Sequence, residues 1–504
     1  MLPRRIAAAA LAGGFGVFAI TAPAAAQAPA QGGAPAPSTT RMVLKGRAPV
    51  SPDVLKVKLP RPQEADLANG LHLIVLEDRH LPQITFQIII PGAGGYFDPP
   101  DQVGLASLTG QLMREGTTTR TSPQISEALE TMSATLTVNS GMAAASASVA
   151  GSSLTENFEK LMDLAADVLL HPAFAPAEWE RLRTRSRAGL VQNRSNPNFL
   201  AAEALNRAVF GVHPAGRISA TAASLDAITP DALVTFHKTR YVPDHAAIAF
   251  AGDISLAEAR KLLDAKFSGW TKAGVPKPAV TDPAPVGPAR VFLVARPGSV
   301  QTTLSVGTQS MLRADPDYAA LTVVNRVLGG TMGRLFRHLR EEKGYTYSVG
   351  SFFSATQYRG GWTASTSVRT EVTEPALTDL LAEVAGLRDT PVPDAEFADV
   401  KRAIVGSFAL ALENPQQLLG YYVENWQYGL PSDYWDTYPA RVMAVTPAQA
   451  QAAAQKYWAP GRLQIVAVGD AAKITDILKK KGDVEISDSD GNPVRQGSAA
   501  RGFD

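Results

Sequence analysis

The chain has 504 residues, of which 45% are hydrophobic and 19% charged, a globular balance that excludes a fibrous or disordered protein and leaves room for roughly two to four domains of about 100–200 residues. Lys and Arg number 48 against 47 Asp and Glu, so no charge excess points to nucleic acid or an anionic membrane surface. Cysteine is absent, which excludes disulfides, thiolate metal sites and lipid attachment through an N-terminal cysteine; any metal must be held by His, Asp or Glu.

The N-terminus, MLPRRIAAAALAGGFGVFAITAPAAAQAPA, has two arginines, an apolar run and Ala24-Ala25-Ala26 before Gln27. That layout predicts a secretory signal peptide over 1–26, with a retained anchor as the alternative, and hence a periplasmic or secreted mature chain with no stable membrane anchor. Residues 27–58, rich in Ala, Pro, Gly and Ser (QAPAQGGAPAPSTT), read as a flexible tether. In NGLHLIVLEDRHLPQITFQIIIPGAGG the β-branched runs 71–76 and 84–90 predict two neighbouring strands. A helix over 104–115 follows, then a strand pair in ATLTVNSGMAAASASVAGS, then an amphipathic helix in ENFEKLMDLAADVLLHP. The segment 272–289, KAGVPKPAVTDPAPVGPA, carries five prolines and reads as a linker, with the strand-like RVFLVAR after it. The acidic end, 481–504, reads as a flexible tail.

The halves on either side of that linker are related. AITPDALVTFHKTRYVPDHAAIAFAGD begins at Ala227 and AVTPAQAQAAAQKYWAPGRLQIVAVGD at Ala444, an offset of 444 − 227 = 217. Thr-Pro, an aromatic two residues before a proline, an apolar strand and a closing Gly-Asp coincide, and Asn196-Pro197 matches Asn414-Pro415 at 414 − 196 = 218. The expectation is an α+β protein of two homologous domains of about two hundred residues, 59–271 and 290–480.

The stretch GLASLTGQLMREGT, 104–117, has the outline of a metal-binding helix without its ligands. A peptide-hydrolysing zinc site needs three protein ligands, an open position for water and a carboxylate base, and H-x-x-E-H places two His on one helix face beside that base. Together with PGAGGYFDPPDQVGLA before it and EGTTTRT at its end, this stretch resembles the N-terminal domain of the pitrilysin/insulinase family of inverted zincins, which typically carry a run close to GLAHLLEHMLFRGT there. The family's first His falls on Ser107, its Glu on Gly110 and its second His on Gln111. Its third ligand, a Glu on a later helix, falls in RLRTRSRAGLVQNRSNPNFLAA, 181–202, which has no acid. The resemblance therefore implies a degenerate zinc site and no metal held by this chain. The plain reading of Ser107 and Gln111 is two polar groups on a helix that packs. The seven histidines, 72, 80, 171, 213, 237, 245 and 338, include no pair at helical metal-ligand spacing, and there is no G-x-S-x-G elbow.

The second half reads differently. RVLGGTMGRLFRHLREEKGYTYSVG, 326–350, has Gly329-Gly330, an amphipathic helix through LFRHLREEK, Gly344 at the expected C-cap, Arg340 in the last turn and Tyr347 just inside a strand. This resembles the family's second-domain motif, in which an Arg and a Tyr at that separation hold the substrate backbone and the developing oxyanion. Guanidinium and phenol are donors suited to a carbonyl oxygen that becomes anionic; the alternative is that Arg340 caps helix carbonyls while Tyr347 fills a sheet face. The resemblance covers roughly 60–480 and implies domains that form a clam-shell chamber in a dimer. It also implies a zinc-less subunit acting in trans, through Arg340 and Tyr347, beside a zinc-bearing partner with an intact H-x-x-E-H that hydrolyses peptides. A non-proteolytic peptide-binding scaffold and an autonomous peptidase with unorthodox ligands stay open beside it, as does the choice between homodimer and heterodimer.

Overall fold

A computed structural model describes residues 54–494. The expected signal peptide, most of the expected tether and residues 495–504 lie outside the described residues.

Two six-stranded sheets organise the described chain. The first holds β1 (Gln63–Asp66), β2 (His72–Glu77), β3 (Gln83–Pro91), β4 (Thr135–Ser140), β5 (Ser146–Leu154) and β6 (Ala247–Gly252), in the order β1-β2-β6-β3-β5-β4. The second holds β7 (Val291–Ala295), β8 (Gln301–Gln309), β9 (Val349–Phe353), β10 (Gly361–Arg369), β11 (Gln464–Gly469) and β12 (Val484–Ser487), in the order β12-β7-β11-β8-β10-β9. The predicted strands 71–76 and 84–90 are β2 and β3, and the predicted strand pair is β4 with β5. In each sheet one central pair is parallel, β2 with β6 and β7 with β11, and the next three pairings are antiparallel. The central strands AIAFAG and QIVAVG are buried along their whole length, which explains why they are apolar runs and not alternating ones.

The sequence repeat is a structural repeat. β6 and β11 begin at 464 − 247 = 217, as do the helices Pro230–Arg240 and Pro447–Tyr457 at 447 − 230 = 217. Asn196 and Asn414 do the same local work. Each accepts hydrogen bonds from the two backbone N–H groups that follow Pro197 or Pro415, and so starts the helices Pro197–Phe210 and Pro415–Tyr428. Both helices stop at a glycine with positive φ, Gly211 at 60° and Gly429 at 63°.

Those two helices cross over. Pro197–Phe210 belongs to the first half in sequence but packs on β8 and β11 of the second sheet, where Leu200, Leu205 and Val209 meet Val294, Val466 and Val468. Pro415–Tyr428 reciprocates against β2, β3 and β6, with Leu419, Tyr422 and Val423 in one core with Ile74, Leu76 and Ile89. Each sheet is thus covered on one face by a helix from the other half. The segment 272–289 forms no helix or strand and is held by polar contacts: Ala273 and Gly274 N–H donate to Asp244, and Thr281 N–H donates to Tyr96 Oη.

The end of the chain departs from expectation. Val484–Ser487, read from sequence as part of a flexible tail, forms β12 and pairs in parallel with β7. Arg290 pairs with Glu485, and Arg194 donates to the Ser489 carbonyl at 3.0 Å. Short and half polar, VEIS carries little strand signal alone; the open edge of β7 supplies the hydrogen bonds that order it.

Candidate functional site

The helix Leu105–Met113 is aimed by Asp98. Its buried carboxylate accepts from Gly104 N–H at 2.7 Å and Ala106 N–H at 2.8 Å, satisfying two free donors at the helix start. Burial pushes the Asp98 carboxyl up to about 6, outweighing those two bonds and the nearby Arg217 guanidinium. The inner face of the helix is apolar: Leu105, Ala106, Leu108, Leu112 and Met113 are all buried.

Ser107 and Gln111 stand together on the other face, half-buried and exposed, and Gln111 Nε2 donates to Ser107 Oγ at 3.2 Å. The structure therefore brings together the two positions where the resemblance puts histidines, but the pair is a hydroxyl and an amide satisfying each other. Gly110 is buried against β4: a Cβ there would stand 3.4 Å from Val138 Cγ1 and 3.5 Å from Tyr241 Oη. That tyrosine hydroxyl is buried without a partner among the described residues, and burial, helped by Asp98, raises its pKa, so it stays a neutral phenol. The helix Pro176–Ser195, which packs against Leu105–Met113, carries its two acids in its first two turns, where Glu178 pairs with Arg181 and Glu180 with Arg183, and after them presents cations in place of a third ligand. Arg185 pairs with Glu115 at 3.1 Å, Arg187 with Asp226, and Arg194 donates to Glu203 Oε1 at 2.6 Å.

These donors do not fit zinc. Neutral hydroxyl and amide oxygens are poor ligands, Gly110 supplies none, and the facing helix is basic. Among the described residues no group of three or more His, Asp or Glu could hold a metal. The histidines serve locally: His213 Nδ1 accepts from Ala215 N–H at 3.2 Å, His237 Nε2 lies 2.8 Å from the Leu169 carbonyl, and His338 Nδ1 lies 2.8 Å from Glu383 Oε1.

Arg340 and Tyr347 do meet. The Arg340 guanidinium carbon lies 4.5 Å from the centroid of the Tyr347 ring and 4.6 Å from that of Phe336, so the cation is flanked by two aromatic rings. Its only ion-pair partner among the described residues is the neighbouring Glu341, at 3.5 Å. Tyr347 is 82% exposed, so it does not fill a sheet face. Phe336 was not singled out in the sequence, although its place four residues before Arg340 on a helical segment is a readable signal.

One expectation about this motif needs correction, the place of Tyr347. The expected helix is present, with Phe336–Glu342 wound as a π-helix, and Lys343 N–H reaches back five residues to the His338 carbonyl at 3.0 Å. Wider turns of this kind are rare and frequently occur at functional sites. Ion pairs hold it: Arg334 grips Glu396 through Nε at 3.2 Å and Nη2 at 2.7 Å, and Arg337 Nη2 joins the same carboxylate at 2.5 Å. Tyr347 lies before the strand, since β9 starts at Val349; Thr346 Oγ1, donating to the Ser367 carbonyl at 2.8 Å, fixes the approach to it. Gly344 ends the turn as expected, at φ 61° with its N–H donating to the Arg340 carbonyl at 3.1 Å. Among the described residues no hydrogen bond, ion pair or ring contact links Arg340 or Tyr347 to Ser107 or Gln111.

Two repeated α+β sheets, a well-formed but ligand-free metal helix in the first half and a stacked Arg-Tyr pair in the second define a peptidase-type fold without its metal centre. Family models match accordingly, "Insulinase (Peptidase family M16)" over residues 74–222 and "Peptidase M16 inactive domain" over 227–404. The chain belongs to the M16, or pitrilysin/insulinase, family of peptidases. It is similar to an uncharacterized zinc protease of Mycobacterium leprae, at 27% identity over 69% of this chain and 78% of that one, and to another of Bacillus subtilis, at 23% over 69% and 83%. Its fold matches the crystal structure of a peptidase M16 inactive domain from Pseudomonas fluorescens, with a TM-score of 0.76, 28% identity and coverage of 81% and 98%. A protease from Helicobacter pylori has the same fold at a TM-score of 0.76, with 15% identity over 82% of this chain and 100% of that one.

Proposed function

We propose that this chain is the exported, zinc-less subunit of an M16 peptidase, lending Arg340 and Tyr347 to a partner subunit that carries zinc on an intact H-x-x-E-H. One observation carries the reading: a single chain keeps the Arg340–Tyr347 donor pair in order on an ion-paired turn, while Ser107, Gly110 and Gln111 stand where a metal centre would be. Donor groups without a reaction centre are useful only if another molecule brings one. On this reading a peptide is held between subunits, the guanidinium and phenol donate to the scissile carbonyl oxygen, and both bonds strengthen as that oxygen gains charge. Relatives of this chain are named zinc proteases, which is the activity such a partner would bring. Export rests on the N-terminal arginines, apolar run and Ala-rich cleavage site.

The test is peptide hydrolysis by the purified mature chain, alone and mixed with a zinc-bearing M16 subunit that carries an intact H-x-x-E-H, with bound metal measured in the same samples. The expected outcome is activity only in the mixture, and Arg340→Ala is expected to lower kcat of the mixture by about 10²–10³ with a smaller change in KM. Peptide binding by this chain alone, with no activity in any mixture, would favour a scaffold. Stoichiometric metal and chelator-sensitive cleavage by this chain alone would overturn the reading.

A further inference from the structure

A pocket of about 370 Å³ lies on the second sheet, between the crossing helix Pro197–Phe210 and strands β8, β9 and β10. Its floor is a ladder of hydroxyls. Ser305 of β8 is the cross-strand partner of Ser365 of β10, and Thr303 is the partner of Ser367; since alternate residues share a face, all four stand on one side of the sheet with Thr363. Asn198 and Asn206 form part of the helical wall. Thr303 and Ser367 pair with each other at 2.9 Å. Ser305 is only 4% exposed, lines the pocket and makes no side-chain hydrogen bond among the described residues, so its hydroxyl is left to the contents of the pocket.

We propose that this pocket binds a small neutral polyhydroxylated molecule, of the size of a mono- or disaccharide. No Asp, Glu, Lys, Arg or His lines it, so a charged ligand would be desolvated without a counter-charge. An apolar ligand would leave Ser305 and its neighbours unpaired. A peptide strand would seek the open backbone edge of β9, whereas this pocket presents side chains on the face of the sheet. A polyol matches what remains, because each of its hydroxyls donates and accepts as the lining hydroxyls do, and the volume falls within the ordinary range of about 300–1,000 Å³ for ligand sites. The inference is independent of the proposed subunit role.

The experiment is saturation-transfer difference NMR on the purified mature chain at millimolar probe, with glucose, N-acetylglucosamine and maltose as neutral probes. Glucosamine and glucuronate serve as charged analogues, and acetyl-alanine amide as a peptide control. Transfer to at least one neutral sugar is expected, with the charged analogues and the amide roughly tenfold weaker or silent. Ser305→Ala removes the hydroxyl and adds no bulk; it is expected to weaken sugar binding roughly tenfold. Ser365→Trp, at the exposed end of that hydroxyl ladder, fills the pocket without touching the core and is expected to abolish binding even if Ser305→Ala fails to fold. Silence from all neutral sugars, preference for the amide, or sugar binding that survives Ser365→Trp overturns the proposal.

Discussion

Asp98 shows how a residue outside any catalytic motif positions the motif. Its carboxylate fixes the start of the Leu105–Met113 helix, and burial raises its pKa from 3.8 to about 6. The folded chain therefore binds this proton more tightly than the unfolded chain does. The group's contribution to stability is fully present below about pH 4 and is lost as pH rises through about 6; the shift corresponds to about 3 kcal/mol at most. Replacing Asp98 by Asn removes the titration. Urea unfolding of both proteins at pH 7 and pH 5 is expected to show the native chain gaining stability, relative to Asp98→Asn, at the lower pH. An equal change in both would mean that Asp98 titrates normally. The sequence placed Ser107, Gly110 and Gln111 on one helix because the frame around them is local, but it gave no sign of Asp98, whose partners lie six and eight positions on in a loop-to-helix turn.

At the scale of elements, the two motif segments differ in what supports them. The metal-type helix rests on its apolar face and keeps its shape without ligands, so restoring ligands should not restore a metal site. Ser107→His, Gly110→Glu and Gln111→His combined is expected to bind less than stoichiometric zinc after dialysis, measured by atomic emission, because the facing helix brings Arg185 and Arg187 and no third ligand. One tightly held zinc per chain would mean that another ligand approaches the helix. The π-helix is supported by Glu396. Burial alone would raise the pKa of that carboxyl, but Arg334 and Arg337 outweigh it and hold the pKa below the usual value. Glu396→Gln weakens both guanidinium contacts; a loss of about 1–3 kcal/mol in stability is expected, with faster amide exchange at Lys343 and Gly344. Unchanged exchange there would show that packing of Leu339 suffices. The sequence announced a helix here but not its pitch, since residue spacing over seven positions does not separate α from π turns.

On the scale of the whole molecule, the crossing helices make the halves mutually dependent. The second sheet buries Val466 and Val468 under a helix encoded before the linker, and the first sheet buries Ile74 and Leu76 with a helix encoded near the end. Cutting the chain within 272–289 and expressing 54–271 alone exposes those apolar faces. The fragment is expected to aggregate or to lack a cooperative unfolding transition, and co-expression with 272–504 to recover the single transition of the intact chain, seen by circular dichroism. Independent cooperative folding of the first fragment would show that the exchange contributes little.

Local chemistry sufficed for much of this. Strand runs, the Asn-Pro helix starts, the glycine stops, the repeat at 217 and the loss of metal ligands were all legible, because each depends on residues near one another in the chain or on plain substitution of one side chain for another. The pitch around Arg340, the flanking of its guanidinium by Phe336 and Tyr347, the buried Asp98 cap, the strand at 484–487 and the hydroxyl-lined pocket were decided by tertiary structure. In each of these the stabilising partner comes from a distant segment or a neighbouring turn, and the energy of burial, which selects among local alternatives, exists only once that partner has arrived.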